Sequence, residues 1–295
     1  MRRRVALILA AAAVLVGLVP AAGASAGVAY RIRIQAQGLA PLVGAFYEVW
    51  AVYGERKLSA GGFNVDAEGR LVDGFGHAAR FYSPRNPARA DAIVVTVEPI
   101  PDPDPAPSGI AILAGTPREN TARLRFPAKL GSLAGSFILA TPTDTATNDE
   151  TAGVWFLDPG AGPGPSLDLP ELPSGWVWEG WGVTQGTPLS TGRFTSATGA
   201  DSAAPFSGPN AGPPFPGEDF LANLPGGIAP PVNLANGSSI IVLTIEPDLG
   251  GTDPTGAGPF SIKPLLTTVS AGATDHTSIA LVRDLSTVPR GTATF

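Results

Sequence analysis

At 295 residues the chain has room for one large domain or two of ordinary size, and a 44% hydrophobic content is enough to bury real cores. The formal net charge is −6, cysteine is absent and only 15% of residues are charged, which excludes disulfide stapling and makes long solvated helices scarce. A surface of net negative sign repels phosphate backbones, so a nucleic-acid partner is not expected.

The first 26 residues, MRRRVALILAAAAVLVGLVPAAGASA, run from a basic start through an apolar stretch to Ala24-Ser25-Ala26. That order is a secretory signal peptide, with cleavage expected before Gly27. Val5 to Ala22 is about 18 residues, near the short limit of a bilayer span, so membrane contact is expected only if the segment stays attached. Pro20 and the small-residue ending favour cleavage. Removing the segment leaves 16 basic against 25 acidic residues, a net of −9. The expected location is secreted or periplasmic, in a bacterium.

Beyond residue 27, short apolar runs alternate with Gly and Pro, of which there are 37 and 31, the pattern of strands and turns. YRIRIQ at 30–35 is the first expected strand. FYEVWAVY at 46–53, rich in aromatic and β-branched residues and followed by Gly54, is the second. IVVTVEP at 93–99 follows, ended by a proline that cannot donate to a ladder. The Pro-rich loop IPDPDPAPSG (100–109) leads into IAILAG, then ARLRF (122–126) and GSFILA (135–140). The threonine-rich TPTDTATNDET at 141–151 reads as a joint, after which GVWFLD (153–158) begins a second half.

That half repeats the first. YEVWAVYGERKLSAGGF (47–63) returns as WEGWGVTQGTPLSTGRF (178–194) with seven of seventeen positions identical, where chance gives about one. The identities are Glu48/Glu179, Trp50/Trp181, Val52/Val183, Leu58/Leu189, Ser59/Ser190, Gly61/Gly192 and Phe63/Phe194. IVVTVEP likewise returns as IVLTIEP at 241–247, pairing Glu98 with Glu246. Between the two matched blocks the second copy is 17 residues longer. The extra length lies around PFSGPNAGPPFPGEDF (205–220), too rich in Pro and Gly for a regular element, and so expected as an inserted surface loop. SIALVRD at 278–284 is the last expected strand. No 3.6-residue apolar periodicity is sustained after the signal segment.

The expected fold is therefore all-β, with two tandem antiparallel β-sandwich-like modules at 27–145 and 146–295. Alternation divides the 46–53 strand into a face of Phe46, Glu48, Trp50 and Val52 and a face of Tyr47, Val49, Ala51 and Tyr53. The first keeps its character in the second copy, so it is expected to be the core face, anchored by the tryptophan. In the other block Ile93, Val95 and Val97, matched by Ile241, Leu243 and Ile245, form the apolar face.

At these residues the chain resembles a known family. YEVWAV, LSAGGF, NVDAEGRL, DAIVVTVEP and GIAILAG, in that order, are similar to the C-terminal extracytoplasmic domain of RskA-type anti-sigma-K factors. The similarity covers 46–115 closely and 176–266 more loosely. It implies a regulatory or sensory β module present twice. The family's sigma-binding helical region and transmembrane helix have no counterpart in the sequence, so the inhibitory activity is not expected to carry over.

The sequence offers little catalytic chemistry. The only histidines, His77 and His276, stand in non-equivalent contexts without ligand spacing, and there is no Gly-x-Ser-x-Gly elbow and no phosphate-cradling loop. No enzyme activity, cofactor or metal is expected. The candidate binding or structural residues are the paired Glu48/Glu179, Trp50/Trp181 and Glu98/Glu246, together with Phe215, Glu218 and Asp219 of the insertion. Glu98 is expected to face solvent. DAEGR (66–70) and PDPDP (101–105) lack EF-hand spacing and read as turns, as does Asn236-Gly237. The aromatic set Trp155, Trp176, Trp178, Trp181 and Phe194 would suit sugar stacking only if the rings lie open to solvent. The expected function is that of an exported binding or regulatory protein with an unknown protein or envelope ligand. A rigid envelope scaffold and a sugar-binding or carbohydrate-active module are the alternatives.

Overall fold

The structure, a computed structural model, describes residues 29–160, 162–250, 254 and 258–295. The expected signal segment lies outside the described residues. Within them no helix is long and apolar enough to cross a membrane.

The chain is all-β, 42% strand and 2% helical, and every strand pairing is antiparallel. In chain order the strands of three residues or more are β1 (Tyr30–Gln37), β2 (Ala45–Tyr53), β3 (Arg56–Val65), β4 (Phe81–Ser83), β5 (Ala92–Pro99), β6 (Ala111–Gly115), β7 (Thr121–Arg125) and β8 (Ala134–Leu139). They continue as β9 (Gly153–Trp155), β10 (Trp176–Thr184), β11 (Thr187–Phe194), β12 (Gly217–Asp219), β13 (Ile240–Pro247), β14 (Leu265–Thr268) and β15 (Arg290–Thr294).

A ten-stranded sheet curls into a half-barrel in the order β3-β2-β5-β6-β7-β15-β1-β4, with the short segments Leu71–Val72 at the β3 edge and Pro117–Arg118 beside β7. A five-stranded sheet runs β11-β10-β13-β14 and then Val282–Arg283. Another is built on β8, β9 and β12.

The repeat is structural. β3-β2-β5-β6 and β11-β10-β13-β14 have the same order and the same pairings: Trp50 stands opposite Ser59 and Val94, and Trp181 opposite Ser190 and Val242. Even an irregularity is copied, a bulge at Val49/Trp50 and at Gly180/Trp181. Opposite each bulge stands a glycine at positive φ, Gly61 (132°) and Gly192 (109°), a conformation that disfavours any side chain. That requirement accounts for one of the seven identities.

Strand pairing does not follow a division at residue 145. β15, from the end of the chain, sits between β7 and β1 in the first sheet, and β8 pairs with β9 across the threonine-rich segment. One hydrophobic cluster runs from Ile32 to Ala293 and includes Val95, Phe126, Trp176, Phe220 and Leu243.

The expected core face is overturned. In β2 the core side chains are Tyr47, Val49 and Ala51, each at 0% exposure, whereas Glu48 and Phe46 are half-buried. Trp50 is buried too, but on the outer face and outside the main cluster. The retained face is the one whose hydrogen-bond geometry has to be kept. The core face drifted because apolar positions tolerate exchange when total volume is conserved. In the second copy Val49 and Ala51 become Gly180 and Gly182, and rings fill the space: a Cβ at Gly180 would lie 2.6 Å from Phe156, and one at Gly182 2.7 Å from Phe220. The apolar face expected of the other block is the core face, with Ile93, Val95, Val97, Ile241, Leu243 and Ile245 all at 0% exposure.

The 205–220 segment is also not wholly a surface loop. Its last residues form β12, paired with β9, and Glu218, Asp219 and Phe220 are fully buried. A run this rich in Pro and Gly enters a sheet because the strand is three residues long and its glycine, Gly217, lies against the Trp155 ring, where a Cβ would be 2.6 Å away.

Candidate functional site

The outer faces of the two repeated sheets carry the same polar network. Trp50 donates its indole N–H to Thr96 Oγ1 at 2.9 Å, and the Thr96 hydroxyl donates to Glu98. Glu98 also accepts the backbone N–H of Ser108 at 2.9 Å, which folds the Pro-rich loop back over the strand. In the second copy Trp181 donates to Thr244 at 2.9 Å, Thr244 donates to Glu246, and Glu246 accepts the N–H of Phe260 at 2.8 Å. Thr96 and Thr244, which the sequence places on the polar face with the glutamates but which were not among the candidate residues, are the centres of the two networks. The signal was there: both lie in the matched IVVTVEP/IVLTIEP blocks, two residues before the glutamate and therefore on its face.

Glu98 is 1% exposed, not solvent-facing as expected. Alternation put it correctly on the polar face, but the loop it anchors covers that face. Burial pushes its carboxyl above the usual range and pushes that of Glu246 up to about 7.

The other glutamate pair is held in parallel. Ser59 donates to Glu48 and Ser190 to Glu179, the latter at 2.5 Å. The copies then diverge: Arg193 Nε lies 2.8 Å from Glu179, while Gly62 occupies the matching place beside Glu48. Burial pushes the Glu48 carboxyl upward, with the negative charges of Glu98 and Asp102 adding to it.

The insertion brings in a third group. Asp219 accepts the indole N–H of Trp155 at 2.6 Å, the N–H of Thr143 at 2.7 Å and the Thr143 hydroxyl. Ser207 donates to Glu218, and Gly217 N–H reaches Asp201 at 2.9 Å. Burial raises Asp219 and pushes Asp201 and Glu218 up to about 7. Among the described residues, one oxygen each of Glu218 and Glu246 is buried without a hydrogen-bond partner. Phe215 is half-buried against a small cluster of Ile138, Ala140, Trp155 and Leu157. Among the described residues no three His, Cys, Asp or Glu side chains converge as metal ligands.

All five tryptophans are buried, at 4% exposure or less, and Phe194 is at 6%. None of these six rings is open for a sugar to stack on. His77 and His276 are exposed and lie beside Asp73 and Glu150 rather than the repeated networks. The turn readings at 66–70 and 236–237 fit the geometry, with Asp66 accepting from Glu68 and Arg70 and Asn236 accepting from Ser238.

Of the clefts on the surface, two are larger than one of about 340 Å³ beside β1 and β4. The larger, about 1010 Å³, lies against β1, β7 and β15 and is lined by Ile34, Ala36, Leu71, Phe126 and Leu130 among others. None of the nine residues singled out in the sequence lines it. The other, about 550 Å³, is bordered by Arg193, Asp201 and Asp248. Comparison of the chain with protein-family models, with curated proteins and with solved structures finds no match.

Proposed function

We propose that the chain is an exported extracytoplasmic protein that works by binding, with two RskA-type modules as its scaffold and no catalytic chemistry of its own. One observation carries this reading: the carboxylates recurring in both copies are spent on structure. Glu98 and Glu246, 1% exposed, each tie a neighbouring threonine and a loop N–H to the sheet. An acid or base in that position meets no substrate, because proton transfer requires approach to within hydrogen-bond reach. Buried tryptophans argue in the same direction against sugar stacking within the repeats.

A scaffold that merely extends a stalk fits less well. β15 returns from the second half into the middle of the first sheet, so the halves are zipped together instead of placed in line. What remains for function is the open surface, with an envelope protein or polymer as partner and the membrane involved only through the first 26 residues if they persist.

Two measurements test this. Mass spectrometry of protein exported from a bacterial host is expected to find Gly27 as the first residue, and an intact terminus in the membrane fraction would replace export by anchoring. Cross-linking of the mature chain to intact envelopes is expected to give the same adducts for wild type and a folded E98Q/E246Q double variant. Loss of adducts in that variant would make the carboxylates a working site and overturn the reading.

A further inference from the structure

We propose that the exposed face of the β4-β1-β15-β7 part of the half-barrel binds an acidic polysaccharide through a grid of arginines. The inference rests on the binding reading above and names the surface and the ligand class.

Strand register defines the face. Directly opposed residues of an antiparallel pair point to the same side, and alternate residues along a strand stay on it. Ile32, Ala122, Leu124 and Ala293 point into the core. The other side therefore carries the remaining alternate positions, in four rows. Gln37, Arg290 and Arg125 form the first row, and Gln35, Thr292 and Arg123 the second. Arg33, Thr294 and Thr121 form the third, extended by Arg118 opposite Thr121. The fourth is Arg31 with Tyr82.

Every row holds at least one guanidinium and at least one neutral hydrogen-bonding side chain, and none holds a carboxylate. Arg31, Arg33, Arg118, Arg123, Arg125 and Arg290 are all exposed. None is in an ion pair among the described residues. In a chain of net charge −6 this is a local reversal of sign. Arg290 standing directly opposite Arg125 is the most telling pair, because like charges facing across a ladder destabilise it. Folding alone would not select that pair; an anion lying over it neutralises both.

The chemistry of the rows identifies the anion. Guanidinium forks match carboxylates bidentately, and Gln and Thr beside them donate to and accept from hydroxyls. Face positions repeat about every 6.8 Å along a strand and about 4.8 Å across strands, so an extended chain meets several rows at once. A bilayer is disfavoured because the most exposed apolar side chains, Val43, Phe75 and Val282, lie off these rows. Duplex nucleic acid, with one charge per ~1.7 Å, meets more repulsion from the net-negative remainder than a polymer with one carboxylate per sugar.

The test uses the purified mature chain, titrated separately with polygalacturonate, neutral dextran, phosphatidylglycerol vesicles and duplex DNA in about 50 mM salt. Binding is expected to polygalacturonate alone, weakening about tenfold or more as salt rises to about 200 mM. R123Q/R125Q/R290Q is expected to weaken it by more than about tenfold. The charge-matched control R56Q/K57Q/R89Q keeps it. The face variant should melt no lower than wild type, since it relieves the Arg290–Arg125 repulsion, so lost binding cannot be blamed on lost fold. No binding to polygalacturonate, equal weakening by face and control variants, or tighter binding to vesicles or DNA would each overturn the proposal. Any of these can occur while export and envelope cross-linking succeed, which keeps the two readings separable.

Discussion

The ring of Phe220 occupies the space that a side chain at Gly182 would fill, 2.7 Å from where the Cβ would stand. The pair joins the insertion to the repeat: where the first copy has Ala51 in its core, the second has a glycine and receives a phenylalanine from the extra segment. Phe220 is fully buried, so Phe220→Ala is expected to cost about 3–5 kcal/mol in urea unfolding. Gly182→Ala overpacks the same spot and is expected to cost about 1–3 kcal/mol. The double variant should cost less than the sum, because the new methyl enters the cavity left by the ring. Additive costs would mean that the two residues do not share this space.

Removing 205–217 is expected to lower the melting temperature substantially, contrary to the surface-loop expectation. Phe206 packs against Phe220 with centroids 6.0 Å apart, Ser207 holds Glu218, and Gly208 N–H donates to Thr143 at 2.7 Å. The deletion strips these partners and leaves Glu218 buried without the Ser207 donor, a cost of the kind unpaired buried acids incur. Circular dichroism melts of the deletion variant beside wild type check this.

The fold class and most strand positions were legible because alternation and punctuation are local. The duplication was legible too, since the hydrogen-bonded face preserves residue identities. The choice of core face was not. Sequence retention was read as core packing, but in Trp50, Glu48 and Ser59 it records a polar network, while Val49 and Ala51 were free to become Gly180 and Gly182. The arginine face was hidden for a different reason. Arg33, Arg123 and Arg290 lie far apart in sequence and become neighbours only through long-range pairing of β1, β15 and β7, so net charge gave the wrong impression of that surface.

The twin networks predict matched sensitivities. Thr96→Val leaves the Trp50 N–H without its acceptor and removes a donor from Glu98, and Thr244→Val does the same for Trp181 and Glu246. Both threonines are buried, at 2% and 0% exposure, so each substitution is expected to cost about 1–3 kcal/mol. Thr96→Ser and Thr244→Ser keep the hydroxyl and should recover most of that loss. Equal losses for serine and valine would assign the effect to the lost methyl contacts.

Stability is expected to rise as pH falls from about 8 to about 5. Burial pushes Asp201, Glu218 and Glu246 up to about 7 in the folded state, whereas in the unfolded chain they return to about 4. Between those values the folded state holds more protons than the unfolded one, so the free energy of unfolding decreases with increasing pH. Their stabilising contribution is complete below about pH 4, lost through the window up to about 7, and flat above it. Glu48, Glu98 and Asp219 are shifted upward as well and act in the same sense. Asp66, Asp73 and Asp284 are shifted downward by hydrogen bonds and oppose them only in the more acidic range, below about pH 4. Thermal melts at half-unit steps from pH 5 to 8 should therefore show a falling melting temperature. Glu246→Gln, an uncharged isostere at a 1% exposed position, should flatten part of that slope. A melting temperature that climbs with pH across the window, or a slope unchanged by Glu246→Gln, would show that these carboxylates ionise in the fold as readily as in the open chain.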